Sequence, residues 1–158
     1  MGKNVSALIH SKIVVVIPPS TLLQKCKDVD TVTILCTIRD CTFIDVMLDL
    51  GASINVMPTS VYRSLHLGDL KPTCVVIHLA NQSVLIPLGV IEDVLVRVKD
   101  MIFPANFYIL DMENESSNHG TTLILGRPFL MTARTKIDVH VGTRSMEFGD
   151  DVVHFNIF

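Results

Sequence analysis

Between Thr31 and Arg39 the chain alternates with a period of two: Val32, Ile34, Cys36 and Ile38 interleave with Thr31, Thr33, Leu35, Thr37 and Arg39. Such alternation puts one set of side chains on each face of a pleated strand. A turn at Arg39, Asp40 and Cys41 follows, and then residues 43–48, which are rich in types that favour strands. The two runs predict an antiparallel pair whose second strand ends directly on Asp49. A carboxylate at the end of an apolar strand is costly unless something uses it.

The same texture continues along the chain. Residues 13–17 read as a short strand stopped by Pro18 and Pro19. Pro58 suits the first position of a helix running to Leu67, with Val61, Tyr62 and Leu65 inward and Gly68 ending it. Strands over 75–79 and 84–88 are joined by a hairpin tip. A longer strand over 90–98 turns at Lys99 and Asp100 and returns over 102–110, where Pro104 signals an edge or a kink. Residues 111–119 form the clearest loop. A brief strand over 122–125, a helical turn or two over 128–135 and three short strands over 137–141, 145–148 and 152–155 complete the pattern. Many short strands and two short helices predict an all-β fold, a closed or partly closed barrel. Residues 1–24 read as an N-terminal extension and 25–158 as the domain.

Bulk properties exclude several classes. A chain of 158 residues with 49% apolar side chains can bury the core of one domain, and 18% charge argues against disorder or a coiled coil. The net charge is −3 and no Lys/Arg cluster appears, so no nucleic-acid surface is expected. The four cysteines, Cys26, Cys36, Cys41 and Cys74, form no C-x-x-C pair and have no His at zinc-finger spacing, so reduced thiols and no metal are expected. The six His residues are scattered. No secretory signal is evident and no apolar run is long enough to span a bilayer. No membrane partner is expected, and the expected location is the cytoplasm or the interior of a virus-like particle.

Asp49 leads into Leu50, Gly51, Ala52 and Ser53. Gly51 permits a tight turn, and Ala52 and Ser53 are small enough to admit a second chain or a substrate. A carboxylate on such a turn suits acid–base hydrolysis, provided a second one faces it. Held close, two carboxylates cannot both ionise readily and share one proton. The ionised member then takes a proton from water while the protonated member polarises a carbonyl. Of all the aspartates only Asp49 has Gly two residues later, so the second carboxylate must come from another copy of the chain, across a twofold axis.

These residues resemble a family, the retropepsins, which are the aspartic proteases of retroviruses and LTR retrotransposons. The similarity covers roughly Leu22 to Phe158. The family's Asp-Thr/Ser-Gly-Ala loop is matched by Asp49-Leu50-Gly51-Ala52, and its downstream strand, Gly and short helix by Leu123-Ile124-Leu125-Gly126-Arg127-Pro128-Phe129-Leu130. The string DLGASINVMP, with IEDVLVRV, FYILDM and ILGRPFL after it, is similar to the protease region of plant gypsy-class retrotransposon polyproteins. The resemblance implies a retropepsin-like closed β-barrel, active as a homodimer, that hydrolyses peptide bonds without a cofactor. Its substrate would be the element's own polyprotein, bound as an extended peptide. It implies Asp49 as the catalytic residue and a flap made of Leu79, Ala80, Asn81, Gln82, Ser83, Val84 and Leu85. Gly126 and Arg127 would give structural support. Ser53 stands where retroviral members have an Asp that pairs with this Arg, and Asn55 is an alternative partner. Leu50 replaces the family's hydroxyl residue, and the flap tip has no Gly. These departures motivate an alternative: a catalytically inactive retropepsin-like domain that serves as a peptide-binding or dimerisation module.

Overall fold

The computed structural model describes residues 13–17, 31–79, 84–111, 123–138, 143–148 and 151–156. In chain order the elements are β1 (Ile13–Ile17), β2 (Thr31–Ile38), β3 (Cys41–Asp49), β4 (Val56–Pro58), α1 (Thr59–Leu65), β5 (Val75–Leu79), β6 (Val84–Leu85), β7 (Gly89–Val98), β8 (Met101–Leu110), β9 (Ile124–Leu125), α2 (Arg127–Thr132), β10 (Thr135–Asp138), β11 (Thr143–Phe148) and β12 (Asp151–Asn156). Six strands close a barrel in the order β2-β3-β9-β4-β8-β7. The ring shuts where Thr37 and Ile38 of β2 pair with Arg97 and Val96 of β7. The other strands make two small sheets, β1-β5-β6 and β10-β11-β12. The expected all-β closed barrel is therefore what the chain forms.

Alternation builds this barrel. On β2, Ile34, Cys36 and Ile38 are buried while Thr33 and Leu35 are exposed. On β8, burial alternates strictly from Met101 to Phe107. The inward residues, with Phe103, Phe107, Leu48 and Ile109 among the fully buried, form one core with Phe129 of α2. Each such side chain stabilises the fold by about 1.5–3 kcal/mol. Phe103 and Phe129 meet edge to face with centroids 5.4 Å apart, which fixes α2 against the barrel.

Pro104 lies opposite Leu95 of β7. The second neighbour of β8, β4, pairs only with Tyr108, Ile109 and Leu110. Pro104 thus occupies the half of β8 that has one partner, where its missing N–H costs nothing. The β7–β8 ladder carries a bulge between Ile91 and Val94. There Asp93 takes a left-handed backbone, φ 56°, and its N–H donates to Asn106 Oδ1 at 3.0 Å.

Several boundaries differ from the expectation. Pro58 belongs to β4, paired with Leu110, and the helix starts after it. That helix stops at Leu65 because His66, not Gly68, adopts the left-handed conformation that ends it, φ 50°. Gly68 follows with its own positive φ, and its carbonyl accepts a hydrogen bond from the Tyr62 hydroxyl. β6 ends at Leu85 rather than Leu88: Pro87 has no N–H for a ladder, and the Leu88 N–H already donates to Ile109 at 2.9 Å. β10 begins at Thr135, and the expected continuation beyond Asp138 lies outside the described residues, as does nearly all of the 111–119 loop. β1 pairs in parallel with β5, from Ile13 opposite Val75 to Ile17 opposite Leu79.

Candidate active site

β3 starts exposed and ends buried, with Val46, Met47, Leu48 and Asp49 all inside. Asp49 is only 3% exposed. Its Oδ1 accepts the Gly51 N–H at 2.8 Å, and its carbonyl accepts the Ala52 N–H at 3.3 Å. An Asp side chain that bonds the backbone two residues on makes a self-supporting turn. The loop that carries the carboxylate therefore also orients it. Ala52 is fully buried, Ser53 is half-buried, and half-buried Leu50 packs against the main core.

What holds this loop is the strand threaded through it. Met47 and Leu48 pair in parallel with Ile124 and Leu125, and Val56 on the far side pairs with Ile124. β9 thus lies between the strand entering the loop and the strand leaving it. Directly after β9, Gly126 rests on the loop's own carbonyls. A Cβ there would stand 2.3 Å from the Ile54 oxygen and 2.7 Å from the Ala52 oxygen, both backbone atoms. Only glycine fits, for reasons of space rather than dihedral freedom. The Arg127 N–H then donates to the Ala52 carbonyl at 2.8 Å.

Asn55 makes the remaining ties. It is 2% exposed. Its Oδ1 accepts the Gly126 N–H at 2.8 Å, its Nδ2 donates to the Asn106 carbonyl at 3.1 Å, and its own carbonyl accepts the Tyr108 N–H at 2.9 Å. The sequence suggested Asn55 as a partner for the Arg127 side chain. The structure spends the Asn55 amide on Gly126 and Asn106 instead. Arg127 is exposed and supports the loop through its backbone N–H. The sequence did carry a signal for this: an amide between Ile54 and Val56 in an apolar run must find partners for both ends.

The β5–β6 hairpin stands on the same loop. Val75 and Ile77 form a second buried cluster with Met47, Ala52, Ile54, Val56, Leu110 and Ile124, with Leu85 at its edge. The hairpin pairs through Ile77 with Leu85 and His78 with Val84. Of the seven expected flap residues, Leu79, Val84 and Leu85 fall on these strands; Ala80, Asn81, Gln82 and Ser83 lie outside the described residues. Val84, Ile86 and Leu88 are exposed apolar side chains beside them.

Among the described residues no three His, Cys, Asp or Glu side chains are grouped to hold a metal ion, and no helix is long and apolar enough to cross a membrane. Among the described residues the site offers one buried, oriented carboxylate, Asp49. One carboxylate can give or take a proton; doing both in one step needs two.

A family model described as aspartyl protease matches residues 34–129, from β2 through Phe129 of α2. The fold is similar to the crystal structure of the retroviral protease-like domain of Ddi1 from Leishmania major, with a TM-score of 0.55 at 19% identity. That likeness covers 82% of this chain and 95% of the other. No curated protein matches the chain.

Proposed function

The chain belongs to the aspartyl protease family, and we propose that it is an aspartic endopeptidase working as a homodimer, with one Asp49 from each copy. The observation that carries this reading is Asp49, the buried carboxylate among the described residues, held by Gly51 on a clamped turn. With one such residue per chain, a catalytic pair requires two chains. The two carboxylates share one proton. A water between them loses a proton to the ionised carboxylate as its oxygen attacks the scissile carbonyl carbon. The protonated carboxylate gives its proton to the carbonyl oxygen. The carboxyl that took the water's proton gives it to the amide nitrogen, and the other carboxylate takes a proton from a hydroxyl of the tetrahedral carbon. The C–N bond breaks to leave a carboxylic acid and an amine. Water is the only co-reactant, and no cofactor is used.

The peptide lies extended between the Asp49 loop and the β5–β6 hairpin, pairing backbone to backbone. Its source is the polyprotein of an LTR retrotransposon of the plant gypsy class, cut in the cytoplasm or inside a virus-like particle. The test is incubation of the folded chain with a broad library of unstructured peptides at mildly acidic pH. Cleavage is expected, with inhibition by a statine-type transition-state mimic. Asp49→Asn is expected to lose about 10³-fold or more of the rate while melting like the wild type. A well-folded dimer that cleaves nothing would contradict the proposal.

One observation favours a second reading. Leu50 carries no hydroxyl and packs half-buried against its own core, so it cannot hydrogen-bond across a twofold axis. On that reading the barrel is a peptide-binding or dimerisation module. It predicts peptide affinity without turnover, unchanged by Asp49→Asn.

A further inference from the structure

We infer that Asn55 is a positioning residue for Asp49: it acts through Gly126 to set the loop that aims the carboxylate. This rests on the endopeptidase reading for its kinetic consequence, but not for its structural one. The path is continuous. Asn55 Oδ1 holds the Gly126 N–H at 2.8 Å. Gly126 lies against the Ala52 and Ile54 carbonyls too closely for any Cβ. Ala52 is held again by the Arg127 N–H, and its own N–H bonds the Asp49 carbonyl. Gly51, between them, donates to the Asp49 carboxylate. The other end of the Asn55 amide is anchored to the barrel wall, on the Asn106 carbonyl. The Asn106 side chain is itself bonded to the Asp93 N–H at the β7 bulge. Asn55 thus transmits the position of β8 to the loop, although its side chain sits behind Gly126 and not on the reacting atoms.

A shift of the loop by an ångström changes the approach of the two carboxylates to water while leaving the peptide-binding surfaces in place. Misplacement on that scale costs about 10²-fold in rate. The experiment uses Asn55→Ala and the isosteric Asn55→Asp, which keeps the acceptor for Gly126 and loses the Nδ2 donor when ionised. Each is compared with wild type in steady-state peptide cleavage and in amide hydrogen exchange read residue by residue. The expected result is a fall in kcat of about 10–100-fold with KM within about twofold of wild type. In Asn55→Ala, exchange should speed up at Gly126 and also at Gly51, with the β7–β8 amides unchanged. In Asn55→Asp, which keeps the Gly126 bond and loses the anchor on Asn106, it should speed up at Gly51. Faster exchange at Gly126 alone, or a kcat equal to wild type in either folded variant, would overturn the inference. If Asn55→Ala fails to fold, Asn55→Asp carries the test through kcat and Gly51 exchange, because it cuts the tie to Asn106. If the wild type cleaves nothing but Gly51 exchange still responds, the endopeptidase reading falls and the positioning role stands.

Discussion

The Asp49 loop and the β5–β6 hairpin pack on one shared cluster but are held very differently. The loop is threaded by β9, fitted to Gly126 without room for a methyl, and tied by Arg127 and Asn55. Among the described residues β6 is joined to β5 by two residue pairs, while β5 is also backed by β1; Val84, Ile86 and Leu88 stand in solvent. A hydrolytic site needs its carboxylate fixed, because proton transfer fails when geometry drifts. A cover over an extended peptide must instead admit and release it. The contrast between a loop clamped from below and β6, the outer strand of the hairpin with two described pairs, suits that division of labour.

The largest effect should come from breaking the clamp. Gly126→Ala places a methyl on two backbone carbonyls and is expected to destabilise by about 3 kcal/mol, read from the urea midpoint. A variant as stable as wild type would mean the loop is not held from below. On the hairpin side, Ile86→Ser removes a side chain that is 73% exposed, so stability should stay within about 0.5 kcal/mol. A loss above about 1 kcal/mol would show the hairpin to be as tightly packed as the loop.

Thiol chemistry gives a smaller, finer contrast. Burial raises the Cys36 thiol from its ordinary 9.0 to about 12, whereas Cys74, just before β5, is exposed. Cys74 and exposed Cys41 should label quickly near neutral pH, and Cys36 only on unfolding. Linkage follows with a definite sign. Above 9.0 the unfolded chain loses the Cys36 proton while the folded chain keeps it, so stability should fall as pH rises from 9.0 toward about 12. Replacing Cys36 with Ala should remove that part of the slope. Rapid labelling of Cys36 in the folded protein would show a barrel more open than its burial implies.

Much of this was legible in the sequence because period-two patterning reports directly on which face is buried. β2 follows from that alone; β3, which buries Val46 to Asp49 without a break, and the β7–β8 pair follow from strand-favouring composition and turn residues. Two features were not legible. The end of α1 depends on His66 adopting a left-handed backbone, where glycine was the obvious candidate. The role of Asn55 depends on β9 threading the loop, a long-range pairing between Ile124 and the Met47 and Val56 strands that local patterning does not encode. Gly126 was marked as support, but its steric reason appears only once Ala52 and Ile54 lie beneath it.

On the homodimer reading, one active site needs Asp49 from two chains. Mixing equal amounts of wild type and Asp49→Asn in denaturant and refolding them together tests it directly. Random pairing leaves about one quarter of the dimers with both carboxylates, so activity is predicted at about one quarter of that of the same total amount of wild type. Activity at about one half would mean that each chain works with its own Asp49, and would contradict the account.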